Sequence, residues 1–440
     1  MNEKLKVVWI CHFSNEMIYN KIQYNLKISV IKRILAKLIF NKNLTKRTPD
    51  FAIWVTNGIQ EMEKINDIEL HVISPYHYLK NMIQEFEMNN IHYHFFHTEN
   101  EDIVTKIKER IFKCKNLKFL KNRKIISCLI KKIKPDIIHL IGAENPYYSL
   151  SLLDVPDNIP SIVQLQTLMN DPDFLKNYNI NNEHYLYRAN IEKKIINKAN
   201  FIGTIAVKYR KIIKEYIHTE AKLLSLSLPL TEPIFKDRIE KQFDFVYFAS
   251  DIKKAADLAL EAFGIVYLQN KSIKLDIIGG YDIDFKRKLD NIINKYGMEN
   301  AITFEGKLPT HNDVIRQIRK SRYALLPLKV DLTSGTVREA MANGLPVLTT
   351  DTGELGTRKL NLKRQNVLIS SIGDHNAMAD NIQKILYDDK FAAQLRQNAY
   401  LTTSERRSNE TVIKKYVMAY KACIDNFKYN IPLPNELIEL

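Results

Sequence analysis

Residues 323–349 read YALLPLKVDLTSGTVREAMANGLPVLT. The apolar run that opens the stretch has the length of a buried strand. A polar loop follows, a helix is predicted over 335–343, and VLT at 347–349 resumes extended structure. That is one strand–helix–strand unit, and the same alternation continues upstream. Strands are predicted at 243–249, 273–278, 301–304 and 323–326, with helices at 253–267, 285–295 and 311–320 between them. Regular alternation of this kind specifies a parallel sheet covered by helices on both faces.

The first half of the chain repeats the pattern, with strands at 6–11, 69–74, 136–140, 161–165 and 201–205. Residues 226–242 carry two prolines and no clear period, which marks a linker. The expected organisation is an N-terminal domain over 1–225, a linker over 226–242, a C-terminal domain over 243–410, and a final helical segment, 411–440, packing back on the first domain. The fold class is α/β with two Rossmann-like domains. Ligands are expected in a cleft between the C-terminal edges of their parallel strands.

Composition excludes several classes. The 440 residues are 45% hydrophobic and 26% charged, values of a globular chain. No apolar run approaches the length of a membrane-spanning helix, and the apolar stretch at 7–11 is too short for a signal peptide. Four cysteines, Cys11, Cys114, Cys128 and Cys423, lie far apart and form no CxxC, so a cytoplasmic location is expected. The net charge of +15 is localised. Residues 21–47 hold eight Lys/Arg and no acid, and residues 104–134 hold twelve with a single acid, Glu109. Basic amphipathic segments of this kind suit an anionic membrane surface, so a peripheral position on the inner face of the cytoplasmic membrane is one expectation; a solvated helix face is the other. Few aromatics interleave the basic residues, and no nucleic-acid partner is expected.

Ten of the 13 glycines lie at or beyond position 264. Gly280 ends a strand, Gly306 ends another, and Gly335 opens a helix. Glycine turns let backbone N–H groups approach a phosphate closely, so the phosphate-bearing ligand is expected on the second domain. Neither a G-x-G-x-x-G after the first strand nor a Walker A sequence occurs, and no metal-ligand spacing is found among the 11 histidines. No cofactor and no metal is therefore expected. Thr333, Ser334, Gly335 and Thr336 surround the start of the 335–343 helix, where free amides and the helix dipole suit a diphosphate. Glu339, one turn into that helix, suits a ribose diol. Asp331, before it, suits a sugar hydroxyl.

The second half resembles the family 4-type glycosyltransferases of the GT-B fold. The resemblance is carried by KKAADLALEAF (253–263), LDIIGG (275–280), ITFEGKL (302–308) and VREAMANGLPVLTTDTG (337–353). VVWICHFSNEM (7–17) with DFAIWVTN (50–57) is similar to a subset of bacterial surface-polysaccharide transferases. The resemblance implies a retaining, metal-independent transfer from a nucleotide-diphosphate sugar, UDP-linked above all, to a saccharide or lipid-linked saccharide acceptor. It assigns Lys254 to the donor diphosphate and Glu339 to the ribose. It assigns Asp331, where the family has glutamate, to the donor sugar, and the backbone of Gly306, Lys307 and Leu308 to the base. An arginine usual before the lysine is absent, and Arg338 is a candidate substitute. His139 matches the first histidine of an H-x-H pair whose second position is Ile141 here.

The first domain is expected to bind the acceptor. His12, Asn15, Ser74, His139, Glu144 and Gln166 are placed at or just past strand ends. Trp54 reads as core, and His92, His94 and His97 read as surface residues. Two other readings stay open: a non-catalytic partner subunit of a glycosylation complex, and a nucleotide-sugar epimerase of the same fold.

Overall fold

The computed structural model describes residues 4–23, 50–77, 79–98, 119–172, 183–230, 239–249, 255–281, 283–329, 335–353, 356–405 and 408–439. The chain forms two compact units, Met1–Pro229 with Ser408–Leu440, and Leu230–Arg407.

The first unit is built on an eight-stranded sheet. Its strands are β1 (Leu5–Ile10), β2 (Ile68–Tyr76), β3 (Ile83–Met88), β4 (Ile91–His97), β5 (Ile137–Ile141), β6 (Ser161–Gln164), β7 (Phe201–Gly203) and β8 (Lys222–Leu224). Their order is β3-β4-β2-β1-β5-β6-β7-β8. Every neighbouring pair is parallel except β3 with β4. The order reverses direction between β1 and β5, so the switch point lies beyond Ile10 and Ile141.

Three features depart from the sequence reading. The β3–β4 hairpin was not expected; it turns at Asn89 and Asn90, both left-handed (φ 52° and 62°), as a tight hairpin requires. His92, His94 and His97 therefore lie on a strand inside a sheet, and His94 is only 6% exposed. β5 runs on to Ile141, which places His139 at mid-strand rather than at the strand end, with 0% exposure. The physical reason is that IIHLI is buried at every position, so the strand has no cause to stop at the histidine.

The helix Leu120–Ile133 closes one face of this sheet. Ile126, Leu129, Ile130 and Ile133 join Val8, Ile10, Ile73 and Phe96 in one core. Its apolar stripe is thus spent on the protein itself, and Lys121, Lys124, Lys131 and Lys132 face solvent. The opposite face is covered from the far end of the chain. The helix Asn409–Tyr429 contributes Val412, Ile413, Tyr416, Ala419, Tyr420, Cys423 and Ile424 to a core with Val7, Trp9, Val72 and Ile137.

The second unit holds six parallel strands: β9 (Phe243–Phe248), β10 (Leu275–Ile278), β11 (Ile302–Gly306), β12 (Ser321–Leu325), β13 (Val347–Thr350) and β14 (Val367–Ser370). The order β11-β10-β9-β12-β13-β14 puts its switch point between β9 and β12. The strand-like runs are apolar at nearly every position because both faces carry helices; Leu275–Ile278 and Val347–Thr350 are buried throughout. Both units are α/β with Rossmann-like parallel sheets. Among the described residues no helix is long and apolar enough to cross a membrane.

Candidate functional site

In the second unit the helix Gly335–Ala342 follows β12 at the switch point. Val337, Ala340, Met341 and Ala342 bury one face of it. Gly344, at φ 69°, ends it, and Leu345 N–H donates to the Ala340 carbonyl at 3.0 Å. Gly335 is exposed, and a Cβ there would meet nothing within 4 Å among the described residues. Two buried threonines hold the strand end that leads into this helix. Thr349 Oγ1 donates to the Leu326 carbonyl at 2.8 Å, and Leu328 N–H donates to Thr350 Oγ1 at 2.7 Å.

Glu339 is partly buried on the helix, and its Oε1 lies 2.8 Å from His311 Nε2. His311 is the first residue of the helix His311–Ile318, whose start is fixed by Thr310 and Asp313 in a reciprocal capping box. Sequence reasoning missed His311, because its partner lies 28 positions away on another element. The two glycine turns adjoin: Gly279 N–H donates to the Gly306 carbonyl at 2.9 Å, and Gly306 is left-handed at φ 69°. Gly280 and Lys307 are exposed beside them, and Leu308 packs partly against the unit's core. Thr336 and Arg338 are partly buried on the Glu339 helix. Lys329, just past β12, pairs at 3.2 Å with Asp257, which also meets Lys288 at 2.6 Å. Burial of Asp257 works to raise its pKa, and the two lysines outweigh that and hold it low. Lys329 is thus a cation beside the switch point that the sequence motifs do not single out. Lys254, Asp331, Thr333 and Ser334 lie outside the described residues.

The first unit has a second polar constellation, at its own switch point. Gly142 follows β5 in a left-handed turn (φ 91°). A Cβ there would stand 2.6 Å from Tyr148 Oη and 3.0 Å from Gln166 Cδ, so only glycine fits. Glu144, 6% exposed, comes next. Its Oε1 accepts from Asn145 Nδ2 at 3.0 Å and from the Gln166 amide at 3.0 Å, and the Gln166 oxygen accepts from Trp54 Nε1 at 3.0 Å. Glu144 Oε2 is buried with no hydrogen-bond partner among the described residues. Arg188 Nε donates to the Glu144 carbonyl at 2.7 Å. His12, one residue past Cys11, is 2.5 Å from Tyr147 Oη through Nδ1. Burial, helped by His77, lowers its pKa to about 3, so it is neutral. His12, Glu144 and Gln166 therefore converge, together with Trp54, Tyr147 and Arg188. Trp54, read as core from the sequence, is a half-buried donor in this group.

The remaining first-unit candidates are buried within the fold. Asn15 caps the helix Glu16–Tyr19 through Ile18 N–H at 3.2 Å, and its Nδ2 donates to Thr56 Oγ1 at 3.0 Å. Ser74 lies buried within β2. His139 is enclosed among Trp9, Tyr416 and Tyr420 and its Nδ1 meets Tyr420 Oη at 2.8 Å. It has no exposed surface for a substrate, which corrects its assignment to the catalytic set.

Glu144 gives the first unit a pH signature. Burial raises its pKa from 4.5 to about 7, against a smaller opposing pull from backbone hydrogen bonding and Arg188. Between those values the unfolded chain has released the proton and the folded unit retains it, so stability falls as pH rises, by about 3 kcal/mol in total. Glu144→Gln keeps a hydrogen-bonding side chain and loses the charge. The midpoint of the unit's thermal unfolding, followed from pH 4.5 to 7.5, is expected to fall less steeply in that variant. A residual slope remains from Glu192, raised by burial to about 8.

Residues 232–402 match the family model for glycosyl transferases group 1. The match spans nearly the whole second unit, which is thus similar to a group 1 glycosyl transferase domain. No curated protein matches the chain by sequence. Among solved structures the chain is similar to sucrose-phosphate synthase from Thermosynechococcus elongatus, at 16% identity and TM-score 0.65, over 95% of this chain and 98% of that one. It is also similar to HepE of Anabaena in complex with UDP-glucose, at 12% identity and TM-score 0.60, over 95% and 99% of the two chains. A glycosyltransferase from Rickettsia africae ESF-5 is similar at 13% identity and TM-score 0.59, over 97% and 100%. These likenesses are of fold, and the fold is GT-B, with two Rossmann-like domains. Within the second unit, Gly306, Gly335 and Glu339 all stand at the carboxyl edge of its sheet or just beyond it.

Proposed function

We propose that the chain is a retaining glycosyltransferase that takes a sugar from a nucleoside-diphosphate sugar. The observation that carries this reading is the helix Gly335–Ala342: it starts beyond the switch point of a group 1 transferase domain, and Glu339 projects from it toward His311. In this reading the helix start and Lys254 meet the charge that develops on the leaving diphosphate, with no metal needed for that task. Glu339 accepts from the ribose hydroxyls, and Asp331 from the donor sugar. Lys329 and Arg338 are the cations available where the family's usual arginine is missing. The diphosphate itself takes the acceptor's proton, so no separate protein base is required.

The acceptor is proposed to bind the first unit, at Glu144, Gln166 and His12. Glu144 Oε2, without a hydrogen-bond partner among the described residues, is the oxygen proposed to accept from it. UDP is the proposed carrier, and a saccharide or lipid-linked saccharide of a surface polysaccharide is the proposed acceptor. Peripheral attachment to the membrane rests on the charge of residues 21–47 and 104–134, of which 24–47 and 104–118 lie outside the described residues. The experiment is a thermal-shift series against UDP, GDP, ADP, CMP and TDP, with co-sedimentation of the same protein on anionic vesicles. One diphosphate is expected to raise Tm by preferring the folded state. No shift with any of them sinks the donor reading and favours a non-catalytic subunit; no sedimentation removes the membrane component alone.

A further inference from the structure

The polar end of the first unit's sheet, opposite the His12 and Glu144 edge, carries a cluster that the transfer reaction does not use. β1, β2 and β4 run parallel and begin there, and β3 returns antiparallel beside β4. Register places His71 against His92, His92 against Glu87, and His94 against Glu85. The side chains form a continuous chain of contacts. Glu69 Oε1 is 2.9 Å from His71 Nε2, His71 Nδ1 is 2.9 Å from His94 Nε2, and His94 Nδ1 is 2.6 Å from Glu85 Oε1. Lys132 Nζ closes the chain on Glu85 Oε2 at 2.7 Å. His92 stacks on His71 with centroids 4.6 Å apart, and its Nδ1 is 3.6 Å from Glu87 Oε2. Together with Lys6 these groups border an open groove of about 400 Å³.

We propose that Glu69, His71 and His92 bind a divalent transition-metal ion of the zinc type, with water completing its coordination. Three features carry this. One ligand atom from each of the three lies within 4.8 Å of the other two. A tetrahedral ion with bonds of ~2.0–2.1 Å sets its donors about 3.3 Å apart, so the widest pair must close by up to roughly 1.5 Å, a distance that side-chain rotation covers. Glu69 and His92 are only partly buried, whereas His71 is buried and held by His94. Two imidazoles with one carboxylate suit zinc, cobalt or nickel rather than calcium or magnesium. Most telling is what stands behind His71. Its Nδ1 is engaged by His94, which is itself backed by Glu85 and Lys132, so Nε2 is presented toward Glu69. Outer partners that fix the tautomer and ring plane of a ligating histidine are what a metal site needs. Lys6, 3.8 Å from Glu69, is the cation that the ion displaces. The ion would pin β2 to β4, far from the reacting groups in this unit, and its role would be structural or regulatory.

Residues 69, 71 and 92 form no sequence motif; only the β2–β4 register brings them together. The test uses the full chain, freed of metal, and titrates Zn²⁺ calorimetrically and Co²⁺ by its visible absorption. One ion per chain is expected, with a rise in Tm. His92→Gln removes a half-exposed ligand and is expected to weaken binding at least ~10-fold. His94→Gln touches no ion and is expected to weaken it by ~10–100-fold through His71 alone. Circular dichroism of both metal-free variants checks that they are folded. Absence of saturable binding in the parent chain overturns the site. Equal affinity in the parent and both variants overturns it too, as adventitious binding at other histidines.

Discussion

Glu339→Ala is expected to abolish the diphosphate-dependent rise in Tm and to lower kcat/KM by ~10²–10³-fold. A carboxylate that accepts from both hydroxyls of a ribose makes two charge-assisted hydrogen bonds, each worth roughly 1.5–3 kcal/mol. At the lower end of that range, losing both costs about 3–4 kcal/mol, which is two to three powers of ten. The fold has no reason to suffer. Glu339 lies at the fifth position of an eight-residue helix, its side chain is partly buried, and alanine is the best helix former. His311 Nε2 lies 2.8 Å from its Oε1. His311→Ala should therefore act in the same direction but more weakly, since it frees the carboxylate without removing it. A normal shift and normal turnover in Glu339→Ala would move the nucleotide away from this helix.

Tyr420→Phe is expected to be the most destabilising of the conservative substitutions in the first unit. The Tyr420 hydroxyl accepts from Trp9 Nε1 at 2.8 Å and meets His139 Nδ1 at 2.8 Å. All three side chains are at most 1% exposed. Burial also lowers the His139 pKa to about 3, so the ring is neutral and relies on this hydrogen bond. Removing one oxygen strands two buried polar groups at ~1–3 kcal/mol each, for a loss of ~2–5 kcal/mol. For a unit of this size that is a fall in Tm of roughly 5–15 °C. Tyr416→Phe removes a single bond, to the Ser227 carbonyl at 2.8 Å, and should cost less. Combining Tyr420→Phe with Trp9→Phe should cost less than the two losses added, because the second change removes a donor already stranded. Additive losses would show that the hydroxyl does not couple these residues.

Much of the fold is legible because burial leaves a mark on every residue of a strand. KVVWIC, LDIIGG and YALLPL are apolar at nearly every position, as parallel strands between two helical layers must be. The β3–β4 hairpin was hidden for the opposite reason. IQEFEM and IHYHFFH mix charges and histidines into the strand pattern, because each strand presents one polar face to the groove at the sheet's edge.

The candidate site divides along the same line. Sequence alone determined the two α/β halves, the glycine turns of the second and the helix that carries Glu339, since each depends on neighbours within a dozen positions. It could not decide which side chains meet. His139 looked like a ligand until the strand proved to run past it and a helix from residues 409–429 closed over it. Glu144, Gln166 and Trp54 became one group only when the strand ends beyond β5 and β6 and the helix Ile53–Met62 came side by side. His311 reached Glu339, and His71 reached His92, through sheet order and register. Those are set by the packing of whole elements, and no local spacing records them.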